Sequence, residues 1–230
     1  MAAWSKGVSF VVVKPAAGSM QADESSQSPS EGVCGPAAAL TPCYWQARYD
    51  QGQTGWDRGG ASPTLVRWLS AGDLKPCRIL VPGCGRGHEL VALAKAGFDV
   101  TGVDYAPAAV AAARTQLANV NLISEVVQSD LFAYRPDRRF EAIYEQTCLC
   151  ALPPGRWAEY EQRLTAWLVP GGRLFAAFMQ TDSGDGPPFA CPPGAMRELF
   201  AADRWEWPDR LEPQEHPTGL VELTGVLRRR

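Results

Sequence analysis

The sequence has few of the residues that metal and nucleic-acid sites require. Its 230 residues include only two histidines, and its seven cysteines contain no CxxC pair, so a zinc cluster would find few ligands. The formal net charge is −3, and the one basic run, Arg228-Arg229-Arg230, is more typical of a solvated tail than of a binding patch. A nucleic-acid-binding surface needs a basic excess. We therefore expect neither a bound metal nor a nucleic-acid partner.

Long apolar runs are also missing. No run reaches the roughly 18 residues of a transmembrane helix, and the short apolar segment after Lys6 is interrupted by Lys14-Pro15, unlike a signal peptide. The odd number of cysteines excludes a disulfide framework that uses all of them. We expect a cytoplasmic, monomeric protein with reduced thiols and no membrane association.

Composition divides the chain at about residue 40. Residues 21–36 are rich in Ser, Glu, Gly and Pro, which predicts a disordered tail over residues 1–40. Met20 precedes this stretch and is a candidate for the true start. The chain as a whole is 46% apolar and 20% charged, a balance typical of a globular protein, so residues 41–230 are expected to form one domain.

Within the predicted domain, short apolar strands alternate with helices. Ser62 and Pro63 are suited to the N-cap and the first position of the first of these helices. Regular β-α-β alternation predicts an α/β fold with a mainly parallel sheet and helices on both faces, and ligands in such folds bind beyond the carboxyl ends of the strands. The predicted strands cover residues 78–81, 99–103, 124–128, 142–146, 173–179 and 220–228, and the predicted helices cover residues 64–69, 88–96, 107–118, 155–167 and 193–200.

A glycine-rich turn follows the first predicted strand. Gly83, Gly85 and Gly87 alternate with Cys84 and Arg86 immediately before a helix. Glycine allows a tight bend and lets a ligand approach the backbone, and the helix N-terminus offers unpaired N–H groups. Such a turn also occurs as a purely structural element, so it becomes informative only together with its neighbours.

Two carboxylates end the next two strands. Asp104 lies about twenty residues after the turn, where an acid can accept hydrogen bonds from both hydroxyls of a ribose, although it can also cap the helix that follows. Asp130 ends the third strand. There it can accept from the exocyclic amine of an adenine while Leu131 and Phe132 cover the ring, or it can simply close a turn.

The spacing of the glycines favours S-adenosylmethionine over NAD. A dinucleotide fingerprint reads G-x-G-x-x-G, whereas this turn reads G-x-G-x-G. S-adenosylmethionine is a sulfonium cation, and cations are attracted to the faces of aromatic rings. Trp45, Tyr49 and Trp56 precede the first strand and are candidates to fold over such a site, although ordinary core packing is an equal alternative.

Several stretches, together covering about residues 43–230, resemble the thiopurine S-methyltransferase family, which also holds thiol, thiocyanate and halide methyltransferases. The most distinctive is Pro82-Gly83-Cys84-Gly85 at the glycine turn. The matching stretches are residues 44–49, 54–59, 80–88, 143–152, 170–174 and 186–189, and the ending from His216-Pro217 through Glu222 to Leu227-Arg228.

The resemblance implies a class I methyltransferase fold, which is Rossmann-like, with a seven-stranded sheet whose last strand is antiparallel. It implies S-adenosylmethionine as the cofactor, with contacts at Trp45, Trp56, Gly83, Asp104, Asp130, Leu131 and Gln146, and we add Gly85 from the turn itself. Gln146 departs from the family pattern, because relatives often carry Tyr or Arg at this place.

The expected activity is methyl transfer to a small-molecule thiol or a related soft nucleophile. A thiol has a reference pKa near ~8.5, so it needs no strong base. Glu145 and Tyr144 are the nearest candidates for acid–base help, although Glu145 can instead hold the turn after its strand. An apolar acceptor pocket is expected from Trp56, Phe178, Met179 and Phe189. Halide, thiocyanate, O- or N-methyl transfer on the same fold, and a cofactor-binding protein without turnover, are the alternatives.

Overall fold

The structure, a computed structural model, describes residues 41–230. The tail predicted over residues 1–40, and the alternative start at Met20, lie outside the described residues. Every helix in the described part of the chain is too short or too polar to span a lipid bilayer.

Two helices precede the sheet. Helix α1 covers Pro42–Asp50 and begins at Thr41, whose hydroxyl accepts the Tyr44 N–H at 3.3 Å. Helix α2 covers Pro63–Ala71, and the Ser62 hydroxyl accepts the Thr64 N–H at 3.3 Å, which confirms the predicted N-cap.

The elements that follow alternate as the sequence predicts. In chain order they are β1 (Arg78–Pro82), α3 (His88–Lys95), β2 (Asp99–Asp104), α4 (Pro107–Asn119), β3 (Glu125–Gln128), β4 (Phe140–Gln146), α5 (Trp157–Trp167), β5 (Leu168–Gln180), α6 (Pro193–Leu199), β6 (Trp205–Glu206), β7 (Glu212–Glu215) and β8 (Val221–Arg229).

The described residues form an eight-stranded sheet in the order β3-β2-β1-β4-β5-β8-β6, with β7 also paired to β8. Strands β1 to β5 are parallel to one another, and β8 is antiparallel to β5 as expected for the last strand. The short strands β6 and β7, which the sequence analysis missed, pair with the two ends of β8 and together occupy one edge position. The predicted fold class is therefore confirmed, with this edge divided into two strands.

Pro170-Gly171-Gly172, which precede the strand predicted over residues 173–179, are incorporated into β5. The pairing of β4 with β5 jumps from Phe140 opposite Leu168 to Ala142 opposite Arg173, so the glycines form an irregularity within the strand. Gly171 has a φ of +76°, which a β-bulge tolerates when the residue is glycine.

Alternate residues of the strands fill two cores, one on each face of the sheet. Ile79 and Val81 pack with α2, α3 and α4, whereas Leu80 packs with α5 and α6 on the other face. Burial on both faces explains why β1 reads as a continuous apolar run.

The cysteines depart in part from the expectation of reduced thiols. Cys43 is disulfide-bonded. Among residues 41–230, the free thiols are Cys77, Cys84, Cys148, Cys150 and Cys191.

Candidate active site

A cavity of about 350 Å³ opens at the carboxyl ends of the parallel strands, and its volume is typical of a small-molecule site. The sequence predictions meet there, because every predicted cofactor residue lines this one cavity. These residues are Trp45, Trp56, Gly83, Gly85, Asp104, Asp130, Leu131 and Gln146. The structure therefore brings the candidates together, and their individual roles remain predictions.

The glycine turn forms the floor of the cavity. Gly83 has a φ of +58°, and a Cβ built on it would lie 3.0 Å from the Cys148 sulfur. A side chain would therefore both strain the backbone and displace the neighbouring loop. The Cys84 N–H donates to the Val103 carbonyl at 3.1 Å, which ties the turn to the end of β2.

Asp104 lies at the end of β2 with its carboxylate against the turn. Its Oδ2 accepts the Gly85 N–H at 3.0 Å, and its Oδ1 accepts the Ala106 N–H at 2.9 Å. Burial raises the pKa of this carboxyl, while the hydrogen bonds from Ala106 and Gly85 oppose the rise. Each oxygen has a further lone pair, so a carboxylate held in this way can also accept from a ligand.

Asp130 closes a turn after β3. Its Oδ1 accepts the Phe132 N–H at 2.8 Å, and its carbonyl accepts from Ala133 and Tyr134. The turn-closing alternative is thus present. Because Asp130 and Leu131 also line the cavity, the geometry allows both roles at once.

Aromatic residues from α1 and the following loop form one wall. The rings of Trp45 and Trp56 meet edge to face at 5.3 Å, and those of Tyr49 and Trp56 at 5.9 Å. Asp57 anchors the loop through Arg86 at 2.7 Å and the His88 ring at 2.9 Å. This segment closes over the strand ends, as the sequence suggested.

A hydrogen-bonded chain crosses the opposite wall. The Tyr144 hydroxyl donates to Gln146 Oε1 at 2.7 Å, and Gln146 Nε2 donates to Glu222 Oε2 at 3.2 Å. The same Glu222 oxygen accepts from Arg58 Nη2 at 2.8 Å. Glu222 is only 1% exposed, and burial raises its pKa while Arg58 opposes the rise.

Glu145 points elsewhere, because alternate residues of a strand face opposite sides. It does not line the cavity, and its Oε1 accepts the Leu149 N–H at 2.6 Å. Burial raises the pKa of Glu145 to about 7. The geometry favours the turn-holding alternative over the acid–base role. Tyr144 does line the cavity, but burial raises its pKa well above 10 and its proton is already donated to Gln146.

Only two of the four residues expected to form the acceptor pocket line the cavity. Trp56 and Met179 line the cavity, whereas Phe178 stacks on Trp207 at 5.7 Å and belongs to the core with Phe200. Phe189 also packs against that core. Phe178 is therefore a core residue, whereas Phe189 is a partly buried residue packed against the same core.

Three residues of this site were missed by sequence reasoning. Arg58, His216 and Glu222 were read only as parts of family motifs, yet Arg58 and His216 line the cavity and Glu222 supports it. The available signal was Glu222, an acid between apolar residues of β8. A carboxylate buried in this way requires partners, which points to a basic residue elsewhere in the chain. Among residues 41–230, no group of His, Cys, Asp or Glu is suited to hold a metal ion.

Residues 40–224 match the model of the thiopurine S-methyltransferase family. The chain belongs to the thiopurine S-methyltransferase family. The family named from the motifs is therefore confirmed, and the predicted enzyme class and its cofactor, S-adenosylmethionine, are confirmed at the level of the family.

Curated relatives agree with this membership. Probable thiol methyltransferase 2 of Arabidopsis thaliana is 33% identical over 149 residues, which make up 63% of this chain and 66% of that protein. A thiopurine S-methyltransferase of Vibrio cholerae serotype O1 is 32% identical over 178 residues, or 69% of this chain and 80% of the relative. The chain therefore spans about two-thirds of the length of the plant relative.

Solved structures support the fold. The 1,6-didemethyltoxoflavin-N1-methyltransferase of Burkholderia thailandensis, with bound S-adenosylhomocysteine, matches with a TM-score of 0.67 at 22% identity, covering 84% of this chain and 88% of that one. Magnesium protoporphyrin IX methyltransferase of Synechocystis PCC 6803, with bound S-adenosylmethionine, has a TM-score of 0.64 at 15% identity, covering 82% and 97%.

Proposed function

We propose that this chain is an S-adenosylmethionine-dependent methyltransferase that transfers a methyl group to a small-molecule thiol or a related soft nucleophile by in-line displacement. One observation carries the proposal: the glycine turn, the two strand-end carboxylates and the aromatic wall line a single cavity. Any one of these features occurs in other nucleotide-binding folds, but their combination suits an adenosyl group joined to a cation.

The residues present fit that cofactor. Asp104 has a free lone pair on each carboxylate oxygen for the ribose hydroxyls, and the Gly83–Gly85 backbone allows close approach. Asp130 and Leu131 would hold the adenine, while Trp45 and Trp56 offer aromatic surface near a positive sulfur. When bound, the cofactor supplies a methyl group already activated by the sulfonium charge.

The chain's own residues contribute orientation and exclusion of water. The aromatic wall covers the strand ends, and the Tyr144–Gln146–Glu222 chain fixes the opposite wall. Tyr144 keeps its proton at neutral pH and Glu145 lies outside the cavity, so neither serves as a base. Positioning of this kind, rather than proton removal, suits a thiol acceptor.

The acceptor side of the cavity favours a small, soft nucleophile. Its lining includes the apolar or polarisable side chains of Cys150, Leu152, Met179, Pro187 and Pro188. Polarisable sulfur contacts suit thiols more than strongly hydrated oxygen nucleophiles. Halide or thiocyanate transfer is the second candidate, because thiocyanate methyltransferase 1 of Brassica oleracea is 31% identical over 148 residues.

An acceptor panel tests the proposal. Purified protein would be supplied with S-adenosylmethionine and, in separate reactions, a small thiol, thiocyanate, iodide or a catechol, and released S-adenosylhomocysteine would be measured. We expect turnover with the thiol, abolished in an Asp104→Ala control. Absence of thiol turnover at every concentration would reject the thiol assignment, and turnover with the catechol alone would favour O-methyl transfer.

We also propose a cytoplasmic, monomeric enzyme whose partner is this small-molecule acceptor rather than nucleic acid or membrane. The net charge of −3 supports the exclusion of nucleic acid. Sedimentation of the purified chain would test the monomer, and fractionation of its host cells would test the location.

A further inference from the structure

Among residues 41–230, six buried side-chain nitrogen or oxygen atoms lack a hydrogen-bond partner, and two of them are N–H groups of residues that line the cavity. They are His216 Nε2 and Arg58 Nε. Both residues line the cavity, His216 is 5% exposed and the Arg58 side chain is 13% exposed. Because buried polar groups are nearly always paired, these two orphan donors on residues that line one cavity are candidates to pair with a ligand.

The His216 ring is fixed by its own loop. The Thr218 backbone N–H donates to His216 Nδ1 at 3.3 Å, and the Thr218 hydroxyl lies 2.8 Å from the same nitrogen. Nδ1 is therefore an acceptor, and the proton of the neutral ring resides on Nε2. Burial, reinforced by the charge of Arg58, lowers the pKa of His216 to about 4, so at neutral pH the ring is an uncharged donor.

Arg58 is held from two sides. Its Nη1 donates to the Glu215 carbonyl at 3.0 Å, and its Nη2 donates to Glu222 Oε2 at 2.8 Å. The first contact ties Arg58 to the residue immediately before His216. The remaining Nε–H is thus presented by a guanidinium whose position is fixed and whose charge is balanced by a buried carboxylate.

We propose that Arg58 Nε and His216 Nε2 form the acceptor subsite, in which two N–H donors bind the sulfur nucleophile in its anionic form. This inference rests on the proposed function and names how that site selects its acceptor. Hydrogen bonds to the charged form of a group favour that form, so a bound thiol would lose its proton to water without a protein base.

Binding of thiocyanate to the complex with S-adenosylhomocysteine tests the subsite, because this complex cannot turn over. Calorimetry would compare the wild type with Arg58→Lys and His216→Leu. Arg58→Lys can keep an ion pair with Glu222 but lacks the Nε–H, and His216→Gln retains a donor. Arg197→Gln is the control, because that exposed guanidinium lies over Trp207, 4.7 Å from the ring centroid and away from the cavity lining.

We expect thiocyanate affinity to fall by about tenfold or more in Arg58→Lys and in His216→Leu, the effect of one lost hydrogen bond to a charge. His216→Gln should lose less, and Arg197→Gln should match the wild type. Affinity for S-adenosylhomocysteine should stay within about twofold throughout, as expected if these donors face the acceptor and not the cofactor. Should His216→Leu not fold, Arg58→Lys decides the outcome.

Wild-type thiocyanate affinity in Arg58→Lys, or in a folded His216→Leu, would overturn the proposal. Failure of the subsite can be distinguished from failure of the proposed function. A wild type that binds thiocyanate but methylates no thiol would keep the subsite and reject the function. Thiol methylation with unchanged kcat/KM in both variants would keep the function and reject the subsite.

Discussion

At the scale of single residues, Asp104 shows how one side chain can organise a loop and still line a cavity. Both of its oxygens accept backbone N–H groups, from the glycine turn and from the start of α4. These bonds hold the carboxylate in place before any ligand arrives. A hydrogen-bond acceptor that is already fixed binds a ligand more tightly, because less conformational entropy is lost on binding.

Replacing Asp104 with Ala should weaken the binding of S-adenosylhomocysteine by well over tenfold, because each lost hydrogen bond to a charged group is worth ~1.5–3 kcal/mol. Calorimetry would measure the affinity. Asp99→Ala is the matched control, since Asp99 lies at the other end of β2 with a side chain that is 67% exposed. Equal affinity in the two variants would reject the ribose assignment.

We expect Glu145 to affect the pH dependence of stability rather than catalysis. Burial raises its pKa from the usual 4.5 to about 7. Between these values the folded protein binds more protons at this site than the unfolded chain, so the free energy of unfolding decreases as the pH rises. This decrease in the free energy of unfolding is on the order of 1–3 kcal/mol, because one pKa unit corresponds to about 1.4 kcal/mol. It should be absent in Glu145→Gln, whose side chain does not titrate.

Urea unfolding of the wild type and Glu145→Gln at about pH 5 and about pH 8 would check this sign. The lowered pKa of His216 acts in the opposite direction, because its stabilising effect is lost as the pH falls towards about 4. That contribution is common to both proteins and cancels in their difference. A difference that does not change with pH would contradict the assignment.

At the scale of elements, the site depends on how closely the glycine turn lets α3 approach α4. Gly87 caps α3 with a φ of +80°, and a Cβ there would lie 2.8 Å from the Ala113 Cβ of α4. Gln46 of α1 reaches the same region, where its Oε1 accepts the Ala108 N–H at 2.9 Å. Small residues on α4 therefore position the elements that carry the cavity walls.

Gly87→Ala should destabilise the protein more than Gly72→Ala, which is its matched control. Gly72 has a similar φ of +74° but open space around a new Cβ. Both variants should lose about 1–2 kcal/mol from left-handed strain, and only Gly87→Ala should lose a further ~1–3 kcal/mol from overpacking. Equal urea midpoints for the two variants would show that α4 yields to the methyl group.

At the scale of the whole molecule, a ligand that binds only the folded state raises the melting temperature. S-adenosylhomocysteine at 100 times its Kd should add ~2.7 kcal/mol, or roughly 5–11 °C for a chain of this size. NAD at the same concentration should have no effect, because the glycines are spaced G-x-G-x-G and not G-x-G-x-x-G as in a dinucleotide site. Thermal unfolding would report both, and a shift with NAD alone would reverse the cofactor assignment.

Much of this arrangement could be read from the chain without its structure. The alternation of strands and helices, the glycine turn and the two strand-end acids are local patterns of spacing and residue type. Parallel strands then bring their carboxyl ends to one edge, which explains why Gly83, Asp104 and Asp130 reach one cavity. Local chemistry and a topological rule were sufficient to predict that these three residues line one cavity.

Other features of the cavity depended on contacts that no local pattern encodes. Arg58 meets Glu222 across 164 residues of sequence, and the alternation along β4 decided that Gln146 faces the cavity while Glu145 does not. Phe178 and Met179 are adjacent in sequence and share one core, but only Met179 lines the cavity. Pairings over such distances are set by packing and burial, which spacing along a single chain cannot reveal.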